Sequence, residues 1–272
     1  MDRLAPARRP DQLCLALQSW RDLLFLHWAV PVREVRRLLP AGLVPDLYRG
    51  VAYVSVAALE VLAARPAFVP LNVGLRYRQV TVRTYVHSGG ENQGLYVLSL
   101  DASSRLVSRL VQTVAHVPCF TSSLAMVRRG RDAEVRLQRP GAPQPELDVH
   151  YAVARDLGEL VPGSLAFFLL ERYIAYFESA GLLFRARVHH RPYRVRNVRI
   201  RSLAGELVEA AGVLAPAHLP RHAYHAERAD VELFAPELVE RLVPVEEPAP
   251  AAWEAEPRLE VVGGLCERSR SS

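Results

Sequence analysis

YRQVTVRTYVHSGGENQGLYVLSLD, residues Tyr77 to Asp101, is the stretch on which the fold of this chain turns. From Gln79 onward the residues alternate. Val80, Val82 and Val86 fall on one face and Gln79, Thr81, Arg83 and Tyr85 on the other, the period-two pattern of a strand with one side against a core. Thr84 is the one polar residue on the valine side. Ser88 to Gly94 then holds three glycines and Asn92, residues that tolerate the positive φ of a reversal, and Leu95 to Leu100 resumes a strand. The stretch predicts a β-hairpin whose polar face either meets water or lines a pocket.

Outward from the hairpin, composition sets the limits. With 272 residues, half of them apolar, the chain can bury a sizeable core as one large domain or two small ones. No run approaches the roughly 18 to 20 apolar residues that a membrane helix needs, and MDRLAPARRPDQ lacks the apolar segment of a secretory signal, so a cytoplasmic location without membrane contact is expected. Cys14, Cys119 and Cys266 are far apart and lack CxxC spacing; reduced thiols are expected, with neither a disulfide frame nor a zinc site. There is no lysine, so all 34 Lys+Arg residues are arginine and chemistry through a side-chain amine is excluded. The net charge of +5 comes from arginines dispersed along the chain, not from one basic tract with interleaved aromatics, which argues against nucleic acid as a partner. No cofactor is implied.

Three segments divide the chain: a loose Pro/Arg-rich arm over 1–12, a single domain over 13–243, and a disordered-type tail over 244–272. Leu23 to Trp28 reads as a buried strand with His27 on the side of Leu23 and Phe25, a hydrogen-bonded core histidine. Pro31 opens a helix with Val35, Leu38 and Leu39 inward. Val51 to Leu62 is β-rich. Asp101 or Ser103 caps a helix over 102–115 whose buried stripe is Val107, Leu110, Val111 and Val114, with Gln112 on the other side. Two strands join around Gly130. A short helix over 164–170 precedes a strand over 171–178 and a return strand over 182–190, on which His189 and His190 face opposite ways and cannot chelate one metal together. His218, His222 and His225 lie in a proline-bounded loop, where Pro220 breaks the helix that a metal site with that spacing would need.

Six segments taken together, LLFLHWAVP (23–31), LLPAGLVPD (38–46), VRTYV (82–86), SLDASSRL (99–106), FLLERY (168–173) and HHRPY (189–193), resemble the DUF2071 or YqjF-like proteins. The resemblance runs over about residues 18–235. It implies an α+β, mostly antiparallel fold: an acetoacetate decarboxylase-like β-barrel or cone with a few peripheral helices and a central cavity. Arg83, Tyr85, Glu171, Arg172 and His190 match the family pattern. Gln79 stands where that pattern usually has Glu, Gln112 where it has Arg, and Cys119 where it has Tyr. An acid and a base have both become amides, which leaves no uncompensated charge from a lost ion pair.

The decarboxylase chemistry of the related family needs a nucleophilic lysine, which this chain lacks. The first functional expectation is therefore a small-molecule-binding barrel for a carboxylate or oxo-acid-like ligand. Arg83 clamps the anion, and Gln79, Tyr85, Gln112 and His190 orient it. The second is a lysine-independent hydro-lyase or isomerase in the same cavity, with His190 or Glu171 as the proton-transfer group. The third is an interaction or assembly module, a homo-oligomer with a vestigial cavity. Cys119 reads as a small buried hydrophobe and not as a nucleophile.

Overall fold

The computed structural model describes residues 4–69, 74–115, 117–214 and 219–241. The expected tail over 244–272 and His218 lie outside them, as does Cys266. Fourteen strands are formed: β1 (Cys14–Val30), β2 (Val44–Pro45), β3 (Ala52–Pro66), β4 (Leu75–Ser88), β5 (Glu91–Ala102), β6 (Cys119–Thr121), β7 (Ser123–Arg129), β8 (Asp132–Gln138), β9 (Leu147–Glu159), β10 (Ile174–Ser179), β11 (Leu182–His190), β12 (Arg194–Ala204), β13 (His222–Phe234) and β14 (Glu237–Arg241). Among the described residues four α-helices accompany them, α1 (Val32–Arg36), α2 (Arg105–Val114), α3 (Leu165–Leu170) and α4 (Leu207–Ala210), with one 3-10 turn at Ala5–Ala7.

The expected hairpin is β4–β5, turning through Gly89 and Gly90 at φ of 60° and 80°. It is part of a closed barrel of seven strands in the order β10–β5–β4–β3–β1–β13–β11, and β11 returns to β10. Every pairing around the ring is antiparallel except β5 with β10, where Leu95 and Tyr96 lie opposite Ala175 and Tyr176. Closure at that seam depends on Gly94, since a Cβ there would sit 2.6 Å from the Ile174 carbonyl oxygen. From β13 the sheet continues through β12, β9, β8 and β7 and folds over the outside of the barrel.

This double layer explains the alternation in β4. Val80 and Val82 point outward into a core shared with Leu24 and Leu26 of β1, Val54 and Val56 of β3, and Val135 and Val149 of the outer sheet. The opposite face points into the barrel, where Tyr77 and Tyr85 join Leu23, Phe25, Leu59 and Tyr224. Both faces of the barrel wall are therefore covered, and the polar side chains between Tyr77 and Tyr85 face an interior rather than open water. Thr84, on the outward side, donates from its hydroxyl to the Tyr53 carbonyl at 2.9 Å.

Several local expectations are corrected. α2 starts later than expected, capped by Ser104, whose hydroxyl accepts from the Val107 amide at 3.4 Å. The helix is also rotated: Val107 is buried, but Leu110 and Val114 are 59% and 48% exposed, because Ser108 takes an inward place and bonds the Ser104 and Phe120 carbonyls. His222 and His225 do not lie in a loop. They belong to β13, three residues apart and so on opposite faces, His222 level with His27 and His225 beside Leu24. Residues of the N-terminal arm lie along the barrel, where Arg9 pairs with Glu232 at 2.7 Å and Gln12 donates to Glu237 at 2.6 Å. Cys14 and Cys119 are free thiols. No helix among the described residues is long and apolar enough to cross a membrane.

Candidate functional site

Strand register builds the site. His27 of β1 lies opposite Ser55 of β3, Ser55 opposite Arg83 of β4, Arg83 opposite Val97 of β5, and His222 of β13 opposite His27. One girdle of the barrel thus carries a row of polar side chains. The β4–β5 register slips by one residue between Val82 and Arg83, the kind of bulge that re-aims a side chain.

Arg83 sits deep in this girdle. Its Nε donates to Ser55 Oγ at 3.2 Å, and its guanidinium carbon lies 5.4 Å from the centre of the Phe25 ring. Desolvation lowers its pKa, yet a guanidinium stays a cation at neutral pH. The residue is only partly buried and retains some accessible surface. Among the described residues no carboxylate lies within ion-pair distance of Arg83 and its two terminal nitrogens make no hydrogen bond.

Around Arg83 the polar groups are neutral. Tyr85, 1% exposed, has one hydroxyl proton, and the Leu169 carbonyl 3.0 Å away can only accept it. The His27 Nδ1 at 3.0 Å from the same hydroxyl must therefore be the protonated nitrogen, donating to Tyr85. That leaves His27 Nε2 a bare acceptor, buried and unpartnered. Burial, with Arg83 and His222 adding repulsion, holds the His27 pKa well below its ordinary value, so the ring is neutral. The hydroxyls of Tyr53, Tyr193 and Tyr224 make no hydrogen bond with the described residues, and these residues are 7%, 5% and 8% exposed. Burial raises the pKa of all three, so they stay protonated and able to donate.

Glu171 caps the C-terminus of α3. Its two oxygens are engaged: Oε1 accepts from the Tyr193 amide at 2.9 Å and Oε2 from the Tyr173 hydroxyl. Burial raises its pKa, and those two bonds pull it back. His190 stacks between Tyr173 and Tyr193, with ring centres 4.6 and 4.2 Å away. Its Nδ1 lies 2.9 Å from the Arg191 carbonyl, and the Arg172 carbonyl also faces the ring. Burial nonetheless brings its pKa down to about 4. The folded protein therefore refuses a proton that the unfolded chain accepts between about pH 6.5 and 4, and stability falls on acidification through that window. His27 acts in the same direction. Urea midpoints measured across that pH range are expected to drop for the wild type and to drop less steeply for His190→Gln; equal slopes would show that His190 is not held neutral.

Of the residues singled out from sequence, the barrel interior receives Gln79, Arg83, Tyr85 and His190, all from strand faces. Tyr85 is already committed to His27 and Leu169. Gln112 is not brought to this interior: it is exposed on α2, where its amide donates to the Cys119 carbonyl at 2.7 Å and ties the helix to β6. Sequence reasoning missed Ser55, Tyr53, Tyr193 and Tyr224. The signal for the first two was present in VAYVSVAALEVL, where Tyr53, Ser55 and Ala57 share one face. It also missed a surface group on β8 and β9, where Glu134, Asp148 and His150 bring possible ligand atoms within 4.8 Å of one another. Asp148 is shared there with Arg136 at 4.0 Å.

A seven-stranded barrel with an outer sheet and a polar interior girdle places the molecule in the acetoacetate decarboxylase-like fold. The enduracididine biosynthesis enzyme MppR, complexed with pyruvate, superimposes with a TM-score of 0.63 at 12% identity, covering 87% of this chain and 95% of that one. Acetoacetate decarboxylase from Legionella pneumophila gives a TM-score of 0.58 at 9% identity, with 88% and 96% covered. Within that fold the chain belongs to the DUF2071 family of uncharacterised conserved proteins, matched over residues 17–230. The uncharacterised protein YqjF of Bacillus subtilis (strain 168) is 29% identical over 228 residues, 84% of this chain and 93% of that protein.

Proposed function

We propose that the barrel binds a small carboxylic acid, oxo-acid-like in its head group, with Arg83 as the anion anchor. The observation that carries this reading is a part-buried guanidinium facing the barrel interior with no carboxylate partner among the described residues. An ionised group taken out of water is costly unless an opposite charge meets it, so an anionic ligand is the missing half of the arrangement. The free terminal nitrogens of Arg83 present the planar fork that suits a carboxylate. Tyr53, Tyr193 and Tyr224 supply further donors. The pyruvate held by MppR supports an acid of this head-group class, although 12% identity carries the fold and not the ligand.

Binding without turnover is favoured over catalysis in the same cavity. His190, with a pKa near 4, is a weak base at neutral pH, and both Glu171 oxygens are occupied within the protein. Lysine imine chemistry has no residue to run on. Thermal-shift screening of 2-oxo and simple carboxylic acids should raise the melting temperature of the wild type and leave Arg83→Met unmoved, since a ligand of the folded state stabilises by mass action. The proposal fails if no acid shifts the wild type, or if Arg83→Met responds equally.

A further inference from the structure

The interior below Arg83 limits the shape of its ligand. Along β4, Gln79 follows Arg83 on the same inward face at a distance of four residues, about 13 Å between Cα atoms at 3.3 Å per residue. Between them lies only Thr81, which pairs with Leu100 of β5, while Gln79 pairs with Leu59 and Ala102. α2 begins just beyond Ala102 and turns Val107 and Val111 into the same interior cluster, so it closes the barrel at the end opposite α3. Of these residues Leu59, Thr81, Ala102 and Val107 are buried. Val97, Leu100, Gln79 and Val111 keep accessible surface, as Arg83 does. These partly exposed side chains lie along one side of the interior, from the girdle toward α2. Leu59, Gln79, Thr81, Leu100, Ala102 and Val111 bring no charge to it.

We infer that the ligand is an elongated amphipathic monocarboxylic acid, of the medium-chain alkanoic or arylalkanoic class, with its carboxylate on Arg83 and its apolar body along Val97 and Leu100 toward α2. The inference rests on the reading of Arg83 as the anion anchor and adds the body of the ligand to its head. Pyruvate-sized acids reach Arg83 but leave the stretch toward Gln79 empty. A second anionic group has no cation to meet there among the described interior residues, which disfavours dicarboxylates.

The test is isothermal titration of the full chain with straight-chain carboxylates from acetate to dodecanoate, each compared with its primary alcohol and with pyruvate. Affinity is expected to rise about fourfold per methylene, the factor for a buried CH2, and then to level off where the space ends. Alcohols should bind at least about tenfold more weakly than the matching acids, as loss of a charge-assisted contact implies. Leu100→Trp should move the levelling-off to shorter chains; if that variant does not fold, the wild-type series alone decides. A flat chain-length series with binding still dependent on Arg83 overturns the elongated ligand and spares the anchor. Absence of Arg83-dependent binding by any acid overturns both, and equal affinity of acids and alcohols does the same.

Discussion

Arg172→Met should destabilise the fold by about 3–5 kcal/mol, the scale seen when one partner of a buried ion pair is removed. The Arg172 and Asp46 side chains are 4% and 3% exposed and meet at 2.7 Å. Arg172 Nε also donates to the Phe168 carbonyl at 2.7 Å, and the guanidinium lies over the Phe168 and Tyr85 rings at 4.2 and 5.0 Å. The pair therefore joins three parts of the molecule: the segment after β2, whose Asp46 amide donates to the Tyr85 carbonyl, the α3 helix, and the β4 face that carries Arg83. Removing the cation takes the balancing charge from a carboxylate at a site with almost no water. For a domain of this size that loss corresponds to a fall in melting temperature of roughly 10 °C.

A double-mutant cycle separates the pair from the packing. Asp46→Leu with Arg172→Met replaces both charges by apolar groups, and such replacements are often neutral or better, so the double variant should recover most of what either single change loses. If the two single losses simply add, the ion pair is not what ties α3 to the barrel. Because α3 packs Phe168 and Leu169 over the Arg83 girdle, the single variants should also bind acids more weakly than the double variant.

How much of this was legible in the sequence depended on the range of each interaction. The β4–β5 hairpin was readable because both signals are local: a two-residue alternation, and glycines where φ must turn positive. His190 on the apolar side of its strand followed from the same period. What alternation cannot give is which side of a strand becomes the inside of a barrel when both sides are covered. Valines and tyrosines mark two different cores here, and only the pairing of β13 with β11 makes the Arg83 face interior. The rotation of α2 was lost for a related reason. Its apolar arc is wider than the surface it covers, so periodicity offered Leu110 and Val114 to the core, while the hydrogen bonds of Ser108 chose the neighbouring face. The polar girdle was invisible because His27, Ser55 and Arg83 lie about 28 residues apart and meet only through register.

Arg83→Met is the second substitution with a large expected effect, and its sign separates a ligand anchor from a structural arginine. Arg172 is balanced by Asp46, so its loss weakens the fold, whereas Arg83 has one bond, to Ser55, and an aromatic ring at 5.4 Å. Within the protein that cation is partly desolvated, which lowers its pKa. Methionine fills a similar volume without charge and is adaptable in shape, so the ligand-free variant should be more stable than the wild type by about 1–3 kcal/mol. In melting temperature this is a rise of roughly 3–10 °C. The same change should abolish acid binding, giving a protein that is more stable alone and deaf to its ligand, the trade expected where a binding site stores unfavourable electrostatics. Two melting curves per protein, with and without a saturating acid, are sufficient. A variant that melts below the ligand-free wild type would mean that Arg83 is satisfied within the protein itself, and the anchor assignment would then have no physical basis.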